Sequence, residues 1–286
     1  MGKIVFLNEQ YLKEEDAKVS VFDRGFIFAD GIYEVVPVVD AKILDKVPFL
    51  ERLEYSLSEL KLPWPLSKDE LLKMIDSLIQ KNHLKEGGVY MQVTRGVAPR
   101  DFAFPKDITP TLMAFTFEKK IIDNPYAKSG VKVVSVDDIR WKRRDIKSIA
   151  LLGQCMSKEI VKNKGAFEGW MVEDGYVTEG TSSSAYIVKN NTIITRALSR
   201  SILPGIRRRL LLELAEKHNI KIEERLFSLE EALQADEAFM SSATTMVLPI
   251  VEINGQAIAN GKPGAIFKKI RKIYIESALS IAGVER

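Results

Sequence analysis

Apolar residues recur at intervals of three and four across 47–60, with Phe49, Leu50, Leu53, Leu57 and Leu60 on one stripe. That is the spacing of one helix face, and Pro63 and Pro65 end it. A second helix is predicted over 68–82, opened by Ser67 with Glu70 three residues on, a capping-box pattern. β-Branched and aromatic content predicts strands at 3–7, 33–39, 89–95 and 112–117. A loop is expected between the first two strands, a break at Gly87-Gly88, and an irregular loop over 96–110. Beyond Pro125 strands are predicted at 131–136, 169–172, 185–188 and 238–240, and helices at 151–162, 206–218 and 263–282. Pro204 and Gly205 open the 206–218 helix, and Asn254-Gly255 signals a tight hairpin. The whole reads as an α/β (α+β) chain with a small N-terminal domain over 1–117, a polar linker over 118–124 and a larger domain over 125–286.

Composition narrows the function classes. Hydrophobic residues at 46% and charged residues at 28% are those of a globular protein, and a net charge of +3 is too small to imply an acidic partner. A single cysteine and two histidines give neither an internal disulfide nor a zinc cluster, which fits a reducing cytoplasm. Cys155 is expected to pack inward from its helix. The N-terminus lacks the apolar core of a signal peptide, and Phe6 stands where myristoylation after Met1 and Gly2 prefers Ser or Thr. Nor does any apolar run approach the roughly 20 residues of a spanning helix, so no membrane attachment is expected.

Four segments carry candidate chemistry. Lys147 lies between Ile146 and an apolar run; turned inward, its desolvated amine would be a nucleophile and Schiff-base former, and turned outward it is a solvated lysine in a basic stretch. Glu179 is the one acid in VTEGTSSSAY and could hold a proton on a partner such as a ring nitrogen, or the stretch is only a serine-rich turn. In SILPGIRR, Gly205 precedes a helix start whose free N–H groups and dipole favour an anion. Ser241, Ser242, Thr244 and Thr245 form a hydroxyl cluster, and Arg52 is a cation on the first helix, so the three could make a phosphate cradle. Lys142 to Arg144 with Trp141, and Arg207 to Arg209, could instead form a nucleic-acid patch, although Asp137, Asp138 and Asp145 sit beside the first run.

In order and spacing, DRGFIFADGIYEVV, FLERLEYS, QVTRGVAPR, DIKSIALLG, VTEGTSSS, ILPGIRR and MSSATTMVLPI resemble the fold-type-IV pyridoxal-phosphate enzymes over nearly the whole chain. Among these the motifs look most like D-amino-acid transaminases. The resemblance implies a cofactor, pyridoxal 5′-phosphate, at the domain interface, with Lys147 as its Schiff-base partner and proton carrier and Glu179 on the pyridine nitrogen. It further implies phosphate binding by Arg52, by backbone N–H groups of Gly205, Ile206 and Arg207, and by Ser242, Ala243 and Thr244. Ser182 would also touch the cofactor, and Leu203 would pack on the ring. Arg207 and Ala243 stand where the family often has threonine, which removes two side-chain contacts to phosphate. The substrate carboxylate would be held by Tyr33 and Arg100; Phe102 replaces a third donor, a histidine, and Arg24 and Arg95 are candidates to substitute for it. Amino-acid and 2-oxo-acid substrates and a homodimer are implied. A branched-chain or amine transaminase, an aminodeoxychorismate lyase and a non-catalytic binding protein remain alternatives.

Overall fold

Two helices cover a six-stranded antiparallel sheet because each turns one apolar stripe toward it. In this computed structural model residues 3–284 are described, so the expectation about Met1 and Gly2 lies outside the described residues. The chain forms two compact units. The first comprises the chain through Lys120, the short segment Ile146–Ala150 and the chain from Leu279 onward; the second comprises Ile121–Asp145 and Leu151–Ala278. Thus Ile146–Ala150 and residues 279–284, which the sequence reading places within 125–286, belong to the first unit.

The first unit runs β1 (Ile4–Leu7), β2 (Gln10–Lys13), α1 (Arg24–Phe28), β3 (Gly31–Val39), β4 (Lys42–Ile43), α2 (Lys46–Glu59), α3 (Lys68–Lys81), β5 (Glu86–Thr94) and β6 (Thr111–Glu118). Its sheet order is β2-β1-β6-β5-β3-β4. Helix α2 packs against β3, and α3 against β1 and β6. The capping box of α3 forms as expected, with Ser67 and Glu70 each satisfying the other's backbone N–H. Two expectations fail locally. The expected loop between the first strands contains β2 and α1, the latter capped by the Asp23 side chain. Gly87 and Gly88 lie inside β5 instead of breaking the chain, because a Cβ on Gly87 would sit 2.0 Å from the Phe117 carbonyl oxygen.

The second unit runs α4 (Tyr126–Ser129), β7 (Val131–Asp137), α5 (Leu152–Asn163), β8 (Glu168–Glu173), β9 (Tyr176–Gly180), β10 (Ser184–Lys189), β11 (Thr192–Thr195), α6 (Ile206–Lys217), β12 (Lys221–Glu224), α7 (Leu229–Leu233), β13 (Glu237–Ser242), β14 (Met246–Ile253), β15 (Gln256–Ala257) and α8 (Ala265–Ile281). Its strands form one sheet in the order β12-β11-β10-β13-β14-β7-β8-β9, with β15 added to β14 through the Asn254-Gly255 turn. Both turn residues have positive φ, 52° and 82°, the requirement that makes Asn-Gly a hairpin signal. Trp170, Phe227, Ile187, Ile194, Leu248 and Ile250 are among the residues of one buried core. Cys155, expected to pack inward, is exposed on α5, whose buried residues are Ser157 and Val161.

Candidate active site

In the first unit the backbone around Lys147 is fixed from two sides. The Tyr33 N–H donates to the Lys147 carbonyl at 2.9 Å, and the Ile149 N–H donates to the Gly31 carbonyl at 3.1 Å, so 147–149 extends the sheet along the edge of β3. From α2, the Ser56 hydroxyl accepts the Lys147 N–H at 3.3 Å. The half-buried Lys147 ammonium lies 4.1 Å from the centroid of the Tyr33 ring, so it is held over an aromatic face and not freely solvated. Tyr33 itself stacks on Tyr90.

The buried face of α2 explains why Arg52 and Ser56 interrupt an apolar stripe: both are buried, four residues apart, and so share one side of the helix. Arg52 makes a bidentate pair with Glu34 of β3, Nε to Oε1 at 2.8 Å and Nη2 to Oε2 at 2.7 Å. The acid holding this cation was missed in the sequence reading. Glu34 lies in the apparently apolar strand GIYEVVPVV, where a lone acid at a buried register position was the available signal.

The carboxylate-binding candidates separate. Arg100 is exposed, with its guanidinium carbon 5.4 Å from the Phe28 ring centroid and 5.3 Å from that of Phe102. The substituted position therefore contributes an aromatic face beside Arg100 in place of a donor. Arg24 and Arg95 share one carboxylate partner. Both are buried and both donate to Asp30, at 2.8 and 2.7 Å, while Arg95 also caps the Leu60 carbonyl and stacks 3.6 Å from the Phe104 ring centroid.

In the second unit Glu179, the penultimate residue of β9, is a buried carboxylate. Its Oε1 accepts from Arg140 at 2.6 Å and from the Leu203 N–H at 3.1 Å, which leaves Oε2 for a further donor. Burial pushes this carboxyl above its ordinary range, and Arg140 and the Leu203 N–H pull against that shift. Arg140 also grips Asp138 through Nε and Nη2, at 2.9 and 2.7 Å. Burial opposes ionisation of Asp138, but Arg140, then Thr178 and Arg144, outweigh it and hold the carboxyl below its usual value. Arg140 is a second residue missed from sequence; it looked like one more charge in a basic run.

Gly205 is the N-cap residue of α6 and has no side chain with which to cap it, so the positive end of this helix suits an anion. The Ser242 and Thr245 hydroxyls bond at 2.7 Å in the turn after β13, with Ala243 and Thr244 between them and both partly exposed. The Arg207 side chain does not join them as an anion ligand: it is buried and donates to the Tyr274 hydroxyl at 2.7 Å and the Ala243 carbonyl at 3.1 Å. The Ser182 hydroxyl donates to Glu168 at 2.7 Å. Most arginines of the candidate nucleic-acid patch have partners within the unit. Arg144 pairs with Asp138 and Glu173, Arg143 with Asp145, and Arg207 and Arg208 are buried.

The second unit offers a carboxylate for a ring N–H and a helix start with neighbouring hydroxyls for a phosphate, and the first unit offers an amine for an aldehyde; each is a group that pyridoxal phosphate needs. Among the described residues no group of His, Cys, Asp and Glu could hold a metal ion, and no helix is long and apolar enough to cross a membrane.

Comparison with known proteins agrees with that donor set. The chain is 37% identical to the D-alanine aminotransferase of Staphylococcus haemolyticus, covering 96% of this chain and 99% of that protein. It is also 37% identical to the D-alanine aminotransferase of Bacillus licheniformis, covering 96% and 97%. Among solved structures, the branched-chain amino acid aminotransferase from Escherichia coli superposes with a TM-score of 0.87 at 22% identity, over 97% of this chain and 95% of that one, a likeness of fold alone. The sequence pattern of the family described as Amino-transferase class IV matches residues 31–253, and the chain belongs to that family.

Proposed function

We propose that this protein is a pyridoxal-phosphate-dependent D-amino-acid transaminase, which moves the amino group of a D-amino acid such as D-alanine or D-glutamate to a 2-oxo acid by a ping-pong mechanism. The observation that carries this reading is 37–38% identity to D-alanine aminotransferases along 96% of the chain. Bound cofactor supplies the electron sink that makes a substrate Cα proton removable.

The chain's own residues supply the rest. Lys147 would hold the cofactor covalently until the substrate's amino group displaces it, and the freed Nζ would then carry the proton lost from Cα, with the lysine backbone held by β3 and α2. Glu179 would keep a proton on the ring nitrogen, with Arg140 fixing its Oε1. Arg52, the N–H groups of Ile206 and Arg207, and the turn carrying Ser242, Ala243 and Thr244 would be the groups that bind phosphate, and Leu203 would pack on the ring. Tyr33 and Arg100 anchor the substrate carboxylate and so set which enantiomer presents its Cα–H to the lysine.

Replacing Arg100 with alanine is expected to raise the KM for D-alanine by about 10- to 100-fold, since a hydrogen bond to a charged group is worth roughly 1.5–3 kcal/mol. Steady-state kinetics reads this, and an unchanged KM places the carboxylate elsewhere. The first unit also exposes Phe22, Phe26, Phe102 and Phe104 on two neighbouring segments, joined where Asp23 pairs with Val97. Such a patch favours coverage by a second copy of the chain. We take the protein to be a cytoplasmic homodimer; sedimentation of the holoenzyme at the mass of one chain would remove the dimer.

The deciding experiment is the visible absorption of the purified holoenzyme before and after D-alanine, with L-leucine in parallel and no 2-oxo acid present. Loss of the band with D-alanine alone is the expected result. A response to L-leucine alone transfers the protein to the branched-chain group, and silence with both leaves the lyase or a protein without turnover.

A further inference from the structure

Glu168, the first residue of β8, is a titratable group that the mechanism above does not use. It is 1% exposed, and its carboxylate is surrounded by donors. Oε1 accepts from Thr181 Oγ1, from the Gly169 N–H at 2.9 Å and from Lys158 Nζ at 3.2 Å. Oε2 accepts from Ser182 Oγ at 2.7 Å and Ser183 Oγ at 3.3 Å. Three consecutive hydroxyls thus converge on one buried carboxylate, which accounts for the first three residues of the TSSS run.

The position of this cluster gives it a consequence for the cofactor half-site of the second unit. Thr181 to Ser183 form the turn between β9 and β10, and Glu179 lies two residues before it. The turn is closed by the Gly180 N–H to the Ser183 carbonyl at 2.7 Å and by the Thr181 N–H to the Gly169 carbonyl at 2.9 Å. It leaves no slack at Gly180, where a Cβ would lie 2.1 Å from Ser183 Oγ. On its far side, Ser184 Oγ would be 2.8 Å from a Cβ at Gly205, so the same turn abuts the start of α6. One side of the turn therefore sets the carboxylate of Glu179, and the other sets the uncapped helix start.

We infer that Glu168 is a positioning residue of the cofactor site: by gathering the hydroxyls of Thr181, Ser182 and Ser183 it fixes the turn that aims Glu179 and seats the N-terminus of α6. The inference rests on the cofactor reading above. A glutamine can replace the acid in part, because hydroxyls rotate and each can donate to the amide oxygen or accept from its N–H. A leucine of similar size offers neither.

The test compares holoenzymes of the parent protein, Glu168→Gln, Glu168→Leu and the double variant Ser182→Ala/Ser183→Ala. Two quantities are read: the rate of pyridoxal phosphate release on dilution, and the pH profile of the visible band, which reports protonation of the ring system that Glu179 controls. Glu168→Leu is expected to release cofactor about 30- to 100-fold faster with a displaced pH profile, as the loss of several coupled hydrogen bonds to a charged group implies. Glu168→Gln should return within about fivefold of the parent with its profile restored, and the double serine variant should move about 3- to 10-fold in the direction of leucine. If Glu168→Leu does not fold, the double variant decides alone. Parent-like release and profile in the variants that fold overturn the positioning role. A parent protein that retains no pyridoxal phosphate overturns the cofactor reading instead.

Discussion

Lys147→Ala is expected to lower the rate of amino-group transfer from D-alanine by at least about 10²–10⁴-fold, the range that one positioned proton-transfer group supplies. The loss should appear without unfolding. The bonds that hold residues 147–149 on β3 and α2 are made by backbone N–H and C=O groups, so they survive removal of the side chain. The side chain is only half-buried, so its loss should shift stability by about 0.5 kcal/mol or less. Single-turnover kinetics with D-alanine, paired with a thermal melt of the same sample, separates the two effects. Parent-like turnover in the variant removes Lys147 from the mechanism, and a collapsed melt would mean that the side chain holds the segment in place after all.

Glu34→Leu is expected to have the largest effect on folding. Glu34 is fully buried, Arg52 is 9% exposed, and the pair is bidentate. Removing one partner of a buried pair leaves the other charge uncompensated and costs about 3–5 kcal/mol, whereas replacing both by apolar groups is often close to neutral. The double variant Glu34→Leu/Arg52→Met should therefore recover most of the melting temperature lost by the single variant. It should still hold pyridoxal phosphate more weakly, since the proposed phosphate cation is gone. Calorimetry of the single and double variants reads the first expectation and cofactor release reads the second. Equal melting temperatures for the two would show that Arg52 does not depend on Glu34.

The pair also illustrates where a sequence stops being informative. Arg52 was legible as a cation on the first predicted helix and through the family resemblance, and the Ser67-Glu70 cap, the Asn254-Gly255 hairpin and the helix opened at Gly205 were legible because each depends on neighbours within a few residues. Glu34 was hidden, since nothing within 17 positions of it in the chain shows that its partner is Arg52. Cys155 was misread for a related reason: helical spacing tells which residues share a face, but packing decides which face is buried.

By itself the sequence determined the local elements, the order of the motifs and the residue types available for chemistry, because propensities, caps and turns act over short separations. Tertiary structure alone decided how the charges are used. Arg140 meets Glu179 across 39 positions, Arg95 meets Asp30 across 65, and Ser182 turns to Glu168 across 14. A buried charge must find a partner or remain in water, and which partner it finds depends on strands and helices that only the folded chain brings together.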